Sequence, residues 1–132
     1  MTLKVAGIDH VVLRVRDADA SMAFYCGVLG CPVDRRNDAI GLIHLRAGDS
    51  LIDLVQLDGK LGQMGGAGPG AEGRNVDHIC LRLTDYEPGA VMAHLERHGV
   101  SYEAPASRYG AGGQDMSIYL KDPDGNGIEL RG

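Results

Sequence analysis

Tryptophan is absent from this 132-residue chain and phenylalanine occurs once. Aromatic side chains therefore contribute little to any apolar pocket wall. Cysteine is also scarce. Cys26, Cys31 and Cys80 are odd in number and have no CxxC spacing, which excludes a disulfide framework or a zinc–thiolate knuckle. Cys26 and Cys80 read as small buried hydrophobes. No apolar run approaches the roughly 20 residues a membrane-spanning helix needs. Residues 1–7 carry one Lys and no apolar stretch, so they do not read as a signal peptide, and a cytoplasmic location is expected. Thirteen basic side chains face eighteen acidic ones, for a net charge of −5, and Lys and Arg are scattered in ones and twos. No basic stripe for a nucleic-acid backbone is evident.

What is present is an ordinary globular composition, 44% apolar and 23% charged, with a strong internal repeat. Ile8-Asp9-His10-Val11-Val12-Leu13-Arg14-Val15-Arg16-Asp17 aligns with Val76-Asp77-His78-Ile79-Cys80-Leu81-Arg82-Leu83-Thr84-Asp85. Asp, His, Leu, Arg and Asp recur in register. A helical pattern follows each copy. Over 21–29 it carries Met22, Tyr25, Val28 and Leu29 on one stripe and stops at Gly30; over 90–98 it carries Val91 and Leu95 and stops at Gly99. Strand-like runs come next, at 31–36, 39–46 and 50–57 in the first half and at 101–109, 114–121 and 127–131 in the second. Asp122-Pro123-Asp124-Gly125-Asn126 has the residue types of a tight turn. Each half thus reads as βαβββ. The predicted fold is α+β, with two such modules pairing into a curled mixed sheet around a central trough. It forms one domain over 1–132, with modules at about 6–57 and 75–131 and a link at 58–74.

Seven of the sixteen residues 58–73 are glycine, so that stretch reads as a flexible link without helix or strand. The formal GxGxxG it contains, Gly68 to Gly73, leads into a strand rather than a helix, which rules out a dinucleotide fingerprint.

Alternation along strands sorts the side chains. Val11, Leu13 and Val15, like Ile79, Leu81 and Leu83, are expected to pack beneath the helices. His10, Val12 and Arg14, like His78, Cys80 and Arg82, then face the other way. In the closing strands Asp53 sits between Ile52 and Leu54, and Glu129 between Ile128 and Leu130. Each half offers one imidazole and one carboxylate on its open face. His44 and Tyr119 fall at equivalent places on the third strands. If the two sheets form a trough, His10, Asp53, His78 and Glu129 meet at one point, with His44, Tyr119, Arg14 and Arg82 lining the walls. Two imidazoles and two carboxylates suit Zn, Ni, Mn, Fe or Co as divalent ions. Such a centre polarises a substrate oxygen and stabilises an enediolate while a carboxylate shuttles a proton. His94 and His98 have i, i+4 spacing but sit beside Glu96 and Arg97, as on a solvated helix face.

These residues resemble the vicinal oxygen chelate superfamily, which includes glyoxalase I, fosfomycin- and bleomycin-resistance proteins, methylmalonyl-CoA epimerase and extradiol dioxygenases. The resemblance rests on Ile8-Asp9-His10, Ser21-Met22-Ala23-Phe24-Tyr25 with Val28-Leu29-Gly30, and Leu51-Ile52-Asp53-Leu54. In the second half it rests on Val76-Asp77-His78, the run Tyr119 to Asn126 and Ile128-Glu129-Leu130. It implies paired βαβββ modules, a divalent metal, a small-molecule substrate and a homodimer. By position it implies metal ligands at His10, His78 and Glu129. Asp53 stands where the family usually has Glu, Gln or His. Glu129 would also move the proton, and Tyr119 would contact substrate, joined from the trough wall that alternation gives by His44 and Arg14. Tyr119 matches a substrate-contacting tyrosine of the fosfomycin-resistance branch. The activity this favours is a glyoxalase I-like isomerase or lyase; thiol transfer of the fosfomycin type and non-catalytic drug binding of the bleomycin-resistance type are the alternatives.

Overall fold

The computed structural model describes residues 1–132. They fall into two compact units, Met1–Gly68 and Pro69–Gly132. The first holds β1 (His10–Val15), α1 (Ala18–Met22, continued by a π-helical turn, Ala23–Val28), β2 (Val33–Asn37), β3 (Leu42–Ala47) and β4 (Ser50–Gln56). The second holds β5 (His78–Arg82), α2 (Pro88–Arg97), β6 (Ala106–Gly110), β7 (Gly113–Lys121) and β8 (Gly127–Arg131). Each unit is the predicted βαβββ module and the class is α+β.

The two sheets share one topology, β1-β4-β3-β2 and β5-β8-β7-β6. In each, the first strand runs parallel to the last while the other pairs are antiparallel. A parallel neighbour needs a long crossover, and the helix with the two intervening strands supplies it. The helices cap themselves. Asp17 accepts from the backbone N–H of Asp19 and Ala20 at 3.0 and 3.2 Å, and Glu87 accepts from Gly89 and Ala90 at 2.9 and 2.6 Å with Pro88 opening the helix. Gly30 and Gly99, at φ +75° and +68°, reverse the chain after each helix.

Below each sheet lies the aliphatic face predicted from alternation. Leu13, Val15, Leu45, Ile52 and Leu54 are buried in the first module, with Tyr25 and Phe24 from the helix. Leu95, Ile118, Leu120, Ile128 and Leu130 are buried in the second. Each fully buried aliphatic contributes about 1.5–3 kcal/mol. The α1 segment departs from the expected 3.6-residue stripe. Leu29 N–H donates to the Phe24 carbonyl, an i to i+5 bond. The wider turn brings Phe24 and Tyr25 together into the core, their rings perpendicular with centroids 5.0 Å apart, while Met22, Val28 and Leu29 are only partly covered.

The glycine-rich stretch corrects the expectation of a flexible link. Gly62–Gly65 forms a 3-10 turn, Leu61 N–H donates to the Ile40 carbonyl, and residues up to Gly68 belong to the first unit. The Arg14 guanidinium, expected on a substrate wall, donates to the carbonyls of Gly62 (2.9 Å), Gly66 (2.7 Å) and Ala67 (3.0 Å). A run of glycines offers bare carbonyls and no side chains, and one guanidinium collects three of them. The glycines are needed for that approach, since a Cβ at Gly65 would lie 2.6 Å from Arg14 Cζ. The 122–126 turn is likewise held from inside. Buried Asp122 accepts from the N–H of Asp124 (3.0 Å) and Asn126 (2.8 Å) through Oδ1 and from Asn126 Nδ2 (2.9 Å) through Oδ2.

Two outcomes follow. Gly65→Ala displaces Arg14, so limited proteolysis should cut within 58–68 faster than in the wild type. Asp122→Ala leaves buried N–H donors unpaired and should cost about 2–3 kcal/mol in urea unfolding, with Asp122→Asn milder.

Candidate metal-binding and catalytic site

The sheet register sets out each open face. In the first module Val12, Asp53 and His44 stand side by side across β1, β4 and β3, and His10 lies two residues earlier on β1. In the second, Cys80, Glu129 and Tyr119 stand side by side across β5, β8 and β7, with His78 two residues earlier on β5. Val12 matches Cys80, Asp53 matches Glu129, and His44 matches Tyr119.

Both carboxylates are largely covered, Asp53 at 4% and Glu129 at 5% exposure, and each is engaged by its neighbour on the third strand. Asp53 Oδ1 lies 2.7 Å from His44 Nδ1. Glu129 Oε1 accepts from the Tyr119 hydroxyl. Burial opposes ionisation of Glu129. The Cys80 and Tyr119 hydrogen bonds, with the charges of His78 and Arg131, outweigh it and hold the carboxyl below its ordinary value. The donors respond in the opposite sense. Tyr119 is raised by its bond to Glu129 and by burial, against the lowering effect of Arg108, whose guanidinium carbon lies 5.8 Å from the ring centroid. Cys80 is pushed up to about 12 by burial and by Glu129. It is therefore a thiol that donates, not a thiolate nucleophile. Its place is also a correction: Cys80 is exposed and Cys26 half-buried, and of the three free cysteines it is Cys31 that is buried.

His10 and His78 share a feature that alternation could not anticipate. Nδ1 of His10 lies 2.7 Å from Asp9 Oδ1, and Nδ1 of His78 lies 2.7 Å from Asp77 Oδ1. Asp77 is held further by Arg74 at 3.2 Å. The strands begin at His10 and His78, so each preceding Asp stands at the strand's start, Asp9 with its carbonyl bonded to the Leu51 N–H, and its side chain turns back onto its neighbour's ring. The Asp9 bond raises His10, and Asp77 is lowered by its bond to His78 and then by Arg74. An imidazole that donates Nδ1–H to a carboxylate presents Nε2 as a lone pair, the usual arrangement behind a metal-bound histidine.

Each module thus brings together one imidazole and one carboxylate: His10 feels the charge of Asp53, and Glu129 that of His78. Neither module gathers three His, Cys, Asp or Glu at a metal-binding spacing. As chemistry, the donors of His10, His78 and Glu129 fit a divalent first-row ion. Asp53 fits less freely, with one oxygen taken by His44. Arg14 serves the glycine-rich segment. His94 and His98 remain on α2 with ring centroids 4.4 Å apart, and His98 Nδ1 bonds the His94 carbonyl at 2.9 Å. Asp9, Asp77, Cys80 and Arg108 are the site-side residues the sequence reading left out; the repeated Asp-His pair was the one visible signal.

The Glu129 network makes a pH prediction. With its native value depressed, Glu129 contributes stability that is present above its unfolded value and lost as pH falls through the native one. Carboxyl-detected NMR should find Glu129 ionised below pH 4.5, and Tyr119→Phe should move its titration upward. An unmoved midpoint in that variant would contradict the network.

The family profile of the Glyoxalase/Bleomycin resistance protein/Dioxygenase superfamily matches residues 7–130. The chain is 34% identical over 129 residues to a glyoxalase domain-containing protein of Mycosarcoma maydis, covering 97% of this chain and 69% of that protein. It is 34% identical over 126 residues to virulence protein STM3117 of Salmonella typhimurium, covering 93% and 81%. The crystal structure of that virulence protein superposes with a TM-score of 0.80 at 31% identity over 98% of both chains. Lactoylglutathione lyase of Agrobacterium tumefaciens shares the fold, with a TM-score of 0.70 at 21% identity over 97% of this chain and 94% of that one. With its repeated βαβββ modules and matched open faces, this chain belongs to the Glyoxalase/Bleomycin resistance protein/Dioxygenase superfamily.

Proposed function

We propose that the protein is a metal-dependent isomerase or lyase of the glyoxalase I kind, acting on a small oxygen-rich substrate such as a hemithioacetal. The observation that carries this reading is the Glu129 network: a covered carboxylate kept ionised by Tyr119 and Cys80, beside an imidazole whose Nε2 is presented by a carboxylate on its other nitrogen. His10, His78 and Glu129 would hold the ion, with Asp53 as the fourth candidate; nickel, zinc, manganese, iron and cobalt all accept such donors. When bound, the ion polarises the substrate's oxygens as a Lewis acid.

The chain's own residues supply the rest. Glu129 takes the proton from a carbon beside a carbonyl and returns it to the adjacent carbon, so the substrate is rearranged with no atom gained or lost. Tyr119 and Cys80 steady that carboxylate between the two transfers. Tyr119 and His44 contact the substrate at equivalent places on the two faces, and Arg14 acts through the segment it holds. Since one module carries only half the donors, the reading requires two modules' donors together, from one chain or from the two chains of a homodimer. Three free thiols suit a cytoplasmic setting, and no helix is long and apolar enough to cross a membrane. Tyr119, bonded to the carboxylate, also favours a second reading, thiol transfer of the fosfomycin-resistance type.

Metal content per chain tests this, measured by elemental mass spectrometry on wild type, His78→Ala and Glu129→Gln grown with nickel, zinc, manganese and iron. Near-stoichiometric metal is expected in the wild type and a large loss in both variants. Nickel or zinc favours isomerisation, manganese favours thiol transfer, and iron points to oxygen chemistry. A wild type that binds no metal overturns the catalytic reading and leaves a ligand-binding protein of the bleomycin-resistance kind.

A further inference from the structure

The second module holds a buried guanidinium that forms no ion pair with a carboxylate. Arg131, at the end of β8, is 3% exposed. Its guanidinium donates to the carbonyls of Gly113 (2.6 Å) and Arg108 (3.3 Å), and its Nε is buried with no partner. Arg82 is its direct neighbour in the parallel ladder. By strand alternation both share the open face with Glu129 and Cys80, two residues before each of them. Arg108, exposed on β6, reaches back over the ring of Tyr119. Three guanidinium groups therefore act along the Glu129 row, Arg131 on Glu129 and Cys80, Arg82 on Cys80 and Arg108 on Tyr119, and none forms an ion pair with a carboxylate.

The acids that strand alternation places on this face are Glu129, already holding Tyr119 and Cys80, and Asp115, the ladder partner of Arg108. Asp115 spends Oδ1 on the Met116 N–H at 2.7 Å. Three cations against two such anions leave a surplus, in a chain whose net charge is −5. Buried charges are ordinarily paired, because desolvation costs several kcal/mol that only a counter-charge recovers.

The hairpin joining β6 to β7 preserves this arrangement. A Cβ at Gly110 would lie 2.4 Å from Arg131 Nη1, and one at Gly112 would lie 3.0 Å from Arg82 Nη2. Glycine at those positions lets the backbone lie against the two guanidinium groups without displacing them. Arg82, with no hydrogen bond or ion pair of its own, and Arg108, with only the Ser107 carbonyl (2.9 Å) and the Tyr119 side chain, keep donors to spare.

We propose that the missing counter-ion is an oxyanion on the substrate, a carboxylate or a phosphate-type group, received by Arg82 and Arg108 with the fixed charge of Arg131 behind them. This rests on the proposed function only in taking the Glu129 face as the place where substrate lies. It adds a substrate class: a molecule with a reacting centre at Glu129 and an anionic group on the arginine side. Forked guanidinium groups match the planar or tetrahedral oxygens of such a group.

The test uses EDTA-treated full-length protein, so that it succeeds or fails independently of metal. Thermal unfolding is followed with millimolar inorganic phosphate or acetate, against sodium chloride of equal ionic strength. Wild type is compared with Arg82→Gln/Arg108→Gln; both positions are exposed, and the pair of variants cancels general salting effects. A saturable rise of about 5 °C at about ten times Kd is expected in the wild type and its loss in the double variant. Protection by phosphate alone assigns a phosphate-type group, and protection by acetate alone a carboxylate. No rise beyond the chloride control, or an equal rise in the double variant, overturns the proposal. Metal binding by the same preparations is a separate readout, so loss of one result does not carry the other with it.

Discussion

The parallel pairing of the first and last strands of each module is the constraint on which the site depends. It sets Val12 beside Asp53 and Cys80 beside Glu129. A side-chain period of two then fixes everything else on the face. A slip of one residue in that register would send Leu54 or Leu130 upward and bury the carboxylate among aliphatics. The buried residues Leu13, Ile52, Leu54, Ile128 and Leu130 thus do more than hold the fold. Their refusal of water selects the register that presents a carboxylate and an imidazole together.

On that common frame the two modules have taken different chemistry. Each covered carboxylate is bonded by the residue beside it on the third strand, but the partner differs: imidazole for Asp53, phenol for Glu129. A phenol donates one hydrogen bond and stays neutral through the usual pH range; with the Cys80 thiol as a second donor, Glu129 keeps its charge and two of its four lone-pair positions. An imidazole Nδ1 occupies one oxygen of Asp53 at 2.7 Å. Asp is also a methylene shorter than Glu and buried behind its partner. Its one side-chain bond in the structure is to His44, which it orients through Nδ1. The same motif, carboxylate on Nδ1 and Nε2 offered, occurs at His10 and His78, and no open-face histidine among these three departs from it.

Much of this was legible in the sequence because it is periodic. The duplicated Asp-His motif, the alternating strands and the capped helices each obey a local rule, and the modules, their strand faces and the placing of His10, Asp53, His78 and Glu129 on open faces follow from it. What escaped was non-local or off-period. The π-helical turn that draws Phe24 inward breaks the 3.6 spacing. The contact from Asp9 to His10 exists because the ladder starts one residue later. The glycine-rich stretch reads as loose from composition, whereas its bare carbonyls suit a guanidinium 48 to 53 positions away in the chain. For Cys80 the two local rules disagreed, residue type reading as core and alternation as open face, and the register beside Glu129 bears out the alternation.

The arginines make the same point about charge. Read along the chain, Arg82, Arg108 and Arg131 are isolated cations in an acidic protein, and the absence of a basic run argues against a nucleic-acid partner. Folded, they come from three strands of one sheet and act on one row of side chains, Cys80, Glu129 and Tyr119. Scattered charges of this kind do not steer a polyanion, which needs a continuous stripe. They do make a confined positive region a few residues wide, next to a carboxylate that must itself stay ionised. The two requirements support each other. Arg131 helps keep Glu129 charged, and Glu129 in turn limits how much positive charge the sheet must carry. A substrate that brings its own anion would relieve the surplus of guanidinium groups without displacing Glu129 from its partners, so binding and proton transfer could be served by different residues of one face.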